Sequence, residues 1–317
     1  MVGNVLYLVV GAAFLYAGAE LLVRGASGLA RRLGISPLVI GLTVVAFGTS
    51  APELVVAITA ALQRKSDLLV GNVIGSNIMN IAIIVGFSAA ARAIVLQKST
   101  VSREMPIALG AAALAWIFGL DGAVTRPDAA VLLLGFCGFV WYCWRLAGKG
   151  GLPVAEVELT GQWLKLAVSV PAILAGGVGL KYGADFLVQG AEAIALALGA
   201  SETLVGLTVV AIGTSLPELA TSVVAAARGQ PDISIGNVVG SNVFNSLLVL
   251  GAAGLVHPVA FNFRARWIDG PVMLGFSFVL VGMMITGRRV SRTEGAALLA
   301  GYAVYLSTLL AWPAPNG

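Results

Sequence analysis

The chain has 317 residues, 58% hydrophobic and 11% charged, with a formal net charge of +4 from 19 basic and 15 acidic side chains. A soluble domain is about 25% charged, so this composition excludes an ordinary soluble enzyme and a disordered chain. It also excludes a nucleic-acid binder, which needs a clustered basic face.

Apolar runs of about 20 residues point to spanning helices, where a barrel shows ten-residue alternation. In chain order the first span covers 4–30 and carries Glu20 and Arg24. No basic n-region precedes it, so it reads as a membrane helix and not a cleaved leader. The second, 37–62, contains GTSAPEL, and the third, 68–91, contains GNVIGSNIMN. The fourth covers 104–121 and the fifth 128–146. Cys137 and Cys143 lie six apart in the fifth span, on different helix faces, which argues against a disulfide or a soft-metal site. Gly148–Gln162 is the one clearly polar linker. Five more spans follow at 164–198, 203–227, 233–256, 268–287 and 293–312. The single histidine, His257, sits beside Pro258 at a segment end and reads as interfacial.

The two halves repeat. Residues 41–86 align without a gap on 206–251, at an offset of 165, with 23 identities in 46 positions. Gly18-Ala19-Glu20 pairs with Gly183-Ala184-Asp185, and Gly25 with Gly190. The expected architecture is an all-α integral membrane protein of ten transmembrane helices in two inverted five-helix repeats. Residues 1–147 form the first repeat, 148–162 a cytoplasmic linker and 163–317 the second. An odd number of spans per half forces the second to enter from the opposite side, and such inverted repeats place a site at the midplane.

Lys and Arg set the orientation. The side with the 1–2, 3–4, 5–6, 7–8 and 9–10 loops holds 12 basic residues, against 5 on the other. The 12-side is predicted to be cytoplasmic, with both termini extracytoplasmic, in the plasma membrane. The chain is expected to be monomeric.

The polar centre of each repeat carries the chemistry. Glu53 and Glu218 stand in mid-span, where an acid costs roughly 2.5–3.5 kcal/mol on insertion scales and so marks function. Pro52 and Pro217 precede them, each deleting a helical hydrogen bond and freeing the carbonyls of Gly48 and Gly213. Freed carbonyls at membrane depth survive where they line a cavity or bind something. Thr49 and Thr214 lie four residues before the acids on the same helix face, with Ser50 and Ser215 beside them.

In the next span Asn72, Ser76 and Asn80 form one stripe at i, i+4, i+8, repeated by Asn237, Ser241 and Asn245. Asn77 and Asn242 lie beside the stripe, and Gly71/Gly75 and Gly236/Gly240 form GxxxG pairs that permit close helix approach. All these donors are oxygen-rich and the formal charge is negative. Hard cations fit: Ca2+ takes six to eight oxygens in loose geometry, Na+ is also oxygen-seeking, and Mg2+ dehydrates too reluctantly. No cofactor is implied; the partners are inorganic cations and the lipid bilayer.

GTSAPEL…GNVIGSNIMN and GTSLPEL…GNVVGSNVFN resemble the two alpha repeats of the sodium/calcium exchanger family, in the cation/Ca2+ antiporter superfamily, of prokaryotic type. The resemblance implies exchange of Ca2+ for Na+ by alternating access, with ion sites between the second, third, seventh and eighth helices. By motif position it implies that Glu53 and Glu218, with backbone oxygens of Thr49 and Thr214, are central Ca2+ ligands. Ser50, Ser215, Ser76, Ser241, Asn80, Asn245 and the carbonyls of Ala46 and Ala211 match positions lining flanking Na+ sites. The first and sixth helices match the gating pair that slides across the core. The 15-residue linker leaves no room for the Ca2+-binding regulatory domains of animal members.

Asn245 falls where some members carry aspartate. With Asn at 80 and 245 the pocket has two formal negative charges, which keeps open H+ instead of Na+ as the driving ion. Two other classes compete: an intramembrane protease built on the two acids, and a channel. The chain shows no HExxH or nucleophile–base signature, so it reads as a transporter and not an enzyme.

Overall fold

The computed structural model describes residues 2–95, 100–148, 165–197 and 211–311. Most of the linker 148–162 and the start of the seventh span, 203–210, lie outside them. The described residues are mostly helical, joined by short turns and four two-residue strands.

The helices, in order, are α1 Val2–Leu33, α2 Pro37–Thr49, α3 Ala51–Leu62, α4 Ser66–Ala91, α5 Thr100–Gly119 and α6 Arg126–Ala147. Then come α7 Leu166–Ala197, α8 Ala211–Thr214, α9 Leu216–Ala227, α10 Pro231–Val256, α11 Ala265–Gly287 and α12 Arg292–Ala311. Seven of these are long and apolar enough to cross a membrane, and α2 with α3, bent by 47°, make an eighth.

The repeat is visible in the elements themselves. Shifted by 165, the helix Ala46–Thr49 that ends α2 maps onto α8, α3 onto α9, and the turn Thr100–Glu104 that opens α5 onto Ala265–Asp269, which opens α11. Several of these turns are wider than α-helical, including Gly41–Val45, Asn80–Ile84 and Phe244–Val249. Such one-turn π segments cluster at functional positions in helices, and two of them hold the stripe residues Asn80 and Asn245.

The chain forms two compact units. The first comprises Met1–Glu53 and Phe139–Ser241, the second Leu54–Gly138 and Asn242–Gly317, so each draws on both repeats.

In the first unit, α1 runs antiparallel along α7. Gly11, Gly18 and Gly25 face Gly183, Gly176 and Ser169 in turn, a seven-residue spacing on both helices. A Cβ on Gly18 would lie 2.7 Å from the Leu180 backbone nitrogen, and one on Gly176 would lie 2.7 Å from the Gly18 carbonyl oxygen. Only hydrogen at these positions lets two backbones come this close. Around the seam Leu15, Leu22, Val23, Leu180 and Ala184 pack with Ile40, Val45, Leu216 and Ile233 into one apolar core. Arg24 pairs with Glu20 at 2.5 Å, and Arg228, after α9, reaches the same carboxylate at 2.8 Å.

The GxxxG of α10 packs as the sequence suggests. A Cβ on Gly236 would meet the Leu38 carbonyl oxygen at 2.8 Å, and one on Gly240 the Leu42 carbonyl oxygen at 2.6 Å. At Gly71 and Gly75 a Cβ would meet nothing within 4 Å among the described residues; the positions equivalent to Leu38 and Leu42, 203 and 207, lie outside them.

In the second unit, α4 packs on α12 and α10 on α6 through equivalent glycines: Gly86 lies against Gly295 and Leu299, Gly251 against Ala129 and Leu133. The strands β1 Ile94–Val95, β2 Ala123–Val124, β3 Val259–Ala260 and β4 Arg289–Val290 pair antiparallel as β1 with β4 and β2 with β3. Each pair joins the two repeats.

Burial runs opposite to that of a soluble protein. The apolar windows of α4 and α10 are 78% and 83% buried, whereas those of the other five long spans are one-third buried or less. Leu6, Val9, Leu134, Leu174 and Ile285 face outward, while Glu53, Glu218, Asn77, Asn80 and Asn245 are buried. Lipid as solvent explains both: apolar side chains gain nothing by hiding from it, and polar ones must find partners inside.

Candidate functional site

Two helix breaks build the site in the first unit. Helix α2 stops at Thr49, Ser50 leaves helical geometry at φ −84°, ψ 4°, and α3 starts at Ala51. In the second repeat α8 stops at Thr214, Ser215 takes φ −90°, ψ 2°, and α9 starts at Leu216. Pro52 and Pro217 sit at the second position of the new helix, where a missing N–H costs nothing. Each break therefore places an acid in the first turn of a helix, near its unsatisfied N–H groups.

Both acids are 1% exposed. The breaks bring them together through crossed hydrogen bonds. Ser50 Oγ donates to Glu218 Oε1 at 2.9 Å, and Ser215 Oγ donates to Glu53 Oε1 at 3.3 Å. Each carboxylate thus takes a hydroxyl from the other repeat. The second oxygen of Glu218 is buried without a hydrogen-bond partner, which leaves its lone pairs for a ligand.

Thr49 is fully buried, but its hydroxyl turns to Asn237 Oδ1 at 3.0 Å and to the Ala46 carbonyl at 3.3 Å. Ala46 O accepts from the Ser50 backbone nitrogen at 2.9 Å, and the single Thr49 proton lies between it and the nearer Asn237 oxygen. At the second break the Ser215 nitrogen bonds to Ile212 O at 3.1 Å, a shorter turn than the one ending on Ala46. Thr214 is half-buried beside Ser215. Ala211 opens α8, and Ser241 is fully buried in α10.

The basic residues nearest the middle of spans are satisfied elsewhere: Arg24 by Glu20, and Lys181 by Asp185 at 2.7 Å.

Ser76, Asn80 and Asn245 belong to the second unit, and all are buried. Asn80 Nδ2 donates to Asn242 Oδ1 at 2.9 Å, and Asn77 Nδ2 to Ser246 Oγ at 2.9 Å. Asn80 Oδ1 and both polar atoms of the Asn245 amide have no hydrogen-bond partner. A buried amide left open in this way costs about 1–3 kcal/mol, which a bound ion or water would offset.

Asn237 and Ser222 also hold the site together. Asn237 bonds to Thr49, to Ser222 Oγ at 2.9 Å and to the Glu218 carbonyl at 3.4 Å. Thr221 and Ser222 are fully buried one turn beyond Glu218. The signal for them was the i, i+3, i+4 spacing of polar residues on an apolar helix; the repeat hid it, because the first half has Val56 and Ala57 there.

The first unit thus offers two carboxylates, hydroxyls and carbonyls, an all-oxygen set that suits a hard cation. No cluster of three or more His, Cys, Asp or Glu exists among the described residues.

The model of a family described as sodium/calcium exchanger protein matches residues 3–145 and 168–311. Over 350 aligned residues the chain is 32% identical to the sodium/calcium exchanger MaX1 of Methanosarcina acetivorans, covering 96% of this chain and 98% of that one. It is 34% identical to the inner membrane protein YrbG of Escherichia coli, strain K12, covering 97% of each. Among solved structures it superimposes on the sodium-calcium exchanger NCX_Mj, soaked with 2.5 mM Na+ and 10 mM Sr2+, with a TM-score of 0.84. That match has 31% identity and covers 97% of this chain and 99% of that one.

Proposed function

This chain belongs to the sodium/calcium exchanger family, and we propose that it exchanges Ca2+ for Na+ across the plasma membrane by alternating access. The observation that carries the reading is the crossed Ser50–Glu218 and Ser215–Glu53 pair, two buried acids joined at two helix breaks. Two carboxylates neutralise one Ca2+, and surrounding hydroxyls and carbonyls complete an oxygen shell. The proposed Ca2+ ligands are Glu53, Glu218 and backbone oxygens of Thr49 and Thr214. The proposed Na+ positions involve Ser50, Ser215, Ser76, Ser241, Asn80, Asn245 and the carbonyls of Ala46 and Ala211. Support for flanking positions comes from the buried, partnerless amide of Asn245.

Ten spans in two inverted repeats fit this function, since the fold must open to each side in turn. The antiparallel course of the equivalent helices α1 and α7 supports inversion. Residues 1–147 and 163–317 are the two repeats, joined by a cytoplasmic linker, with both termini outside and the chain acting as a monomer.

A second reading, H+/Ca2+ exchange, is favoured by the neutral Asn80 and Asn245, which leave Glu53 and Glu218 as the formal charges of the motif. Vesicles containing the purified protein separate the two. Ca2+ uptake driven by an outward Na+ gradient at equal pH is the expected result. Uptake that follows a pH gradient alone overturns Na+ coupling in favour of the second reading.

A further inference from the structure

Asn237 bonds to both broken helices at once. Its Oδ1 accepts from the Thr49 hydroxyl at the end of α2, and its Nδ2 donates to the carbonyl of Glu218 in α9. It is fully buried in α10, so water cannot substitute for either bond.

The direction of the amide is determined by its surroundings. The Glu218 carbonyl can only accept, so the nitrogen must face it. Ser222 Oγ accepts from the same nitrogen at 2.9 Å and points its own hydrogen along a long, 3.5 Å contact to the Ser234 carbonyl. With the nitrogen held on that side, the amide oxygen faces Thr49 and obliges its hydroxyl to donate. The protons of Ser50 and Ser215 are committed in the same way to Glu218 and Glu53. Every hydroxyl proton assigned at the breaks therefore points at a protein acceptor.

Asn72 is the repeat partner of Asn237, but Ala57 stands where Ser222 would be and Leu69 where Ser234 would be.

We propose that Asn237, held by Ser222, is a positioning residue that sets the spacing between Thr49 and Glu218 and the direction of the Thr49 hydroxyl. The inference rests on the proposed Ca2+ site and adds to it a residue that touches no ion.

The test uses the full chain reconstituted in vesicles, with Ca2+ itself as the probe, and compares Asn237→Leu, Thr49→Val, their double mutant, Ser222→Ala and Glu218→Gln. Losing one hydrogen bond in a positioning relay corresponds to about a five- to tenfold change in half-saturation. The expected result is a rise of that size in the KM for Ca2+ in Asn237→Leu, with kcat within about twofold of the parent, and a KM rise of the same size in Thr49→Val. In the double mutant the second change adds less than about twofold, because both act through one bond. Ser222→Ala shows a smaller rise in the same direction, since the Glu218 carbonyl still orients the amide.

An unchanged KM in Asn237→Leu, or additive effects in the double mutant, overturns the inference. If Asn237→Leu fails to fold, Ser222→Ala and Thr49→Val still decide it: an unaltered KM in both overturns the relay. Glu218→Gln separates the two levels, because normal transport there sinks the Ca2+ site itself, whereas loss of transport there beside a silent Asn237→Leu sinks the relay alone.

Discussion

Glu53→Gln and Glu218→Gln preserve shape and keep an acceptor for Ser215 and Ser50, so the helix breaks should survive. Each removes a charge that has no substitute in the pocket. Breaking a buried charge pairing costs about 3–5 kcal/mol, so Ca2+ exchange should fall more than about a hundredfold. Radioactive Ca2+ uptake into vesicles, with size-exclusion profiles to verify folding, checks this; near-parental uptake by either variant refutes the ligand assignment. Asn245 invites the converse experiment. Its amide has no hydrogen-bond partner, so Asn245→Asp keeps the side-chain shape and breaks no hydrogen bond while adding a negative charge. The Na+ dependence of uptake should steepen or shift by several-fold while the KM for Ca2+ changes less. An unaltered Na+ curve counts against a flanking position there.

Among elements, the α1–α7 seam is the most exacting contact. Gly18→Ala would drive a methyl group to 2.7 Å from backbone, which no rotamer can relieve. The helices would have to separate, at a cost of about 1–3 kcal/mol. Gly177, on the partner helix α7, meets nothing within 4 Å among the described residues, so Gly177→Ala serves as the control. A lower thermal midpoint and slower exchange are expected for Gly18→Ala and neither for Gly177→Ala; equal behaviour would mean the seam is not tight. The helix breaks show how far local sequence reaches. Proline at 52 and 217 announces an interruption, and the structure has one in both repeats, two residues upstream at Ser50 and Ser215. The wide turns at Asn80–Ile84 and Phe244–Val249 were not legible, since one extra residue in a turn depends on what packs beside it and leaves no mark in apolar periodicity.

For the whole molecule, span positions and the duplication were readable because lipid imposes length and apolarity on every crossing segment. The observed helix ends fall within a few residues of the expected ones where both are described, as with Arg126–Ala147 against 128–146. What the repeat could not reveal is which pieces pack together. The compact units mix both halves, and the hydrogen bonds of the acids cross between repeats, because partner choice is a tertiary property. Orientation is testable directly: a C-terminal reporter active only in the cytoplasm should stay silent, and a bright one would reverse the charge-based assignment.

The exchange of serines between the acids has a consequence for the chain as a single covalent object. A piece ending at residue 147 owns Glu53 but lacks the hydroxyl that serves it, and a piece beginning at 163 lacks the one for Glu218. Neither fragment should carry Ca2+ when made alone. Produced in the same cell they should complement one another, since each serine–acid hydrogen bond is non-covalent and forms between the two pieces. Activity from one fragment by itself would mean that the reciprocity is dispensable.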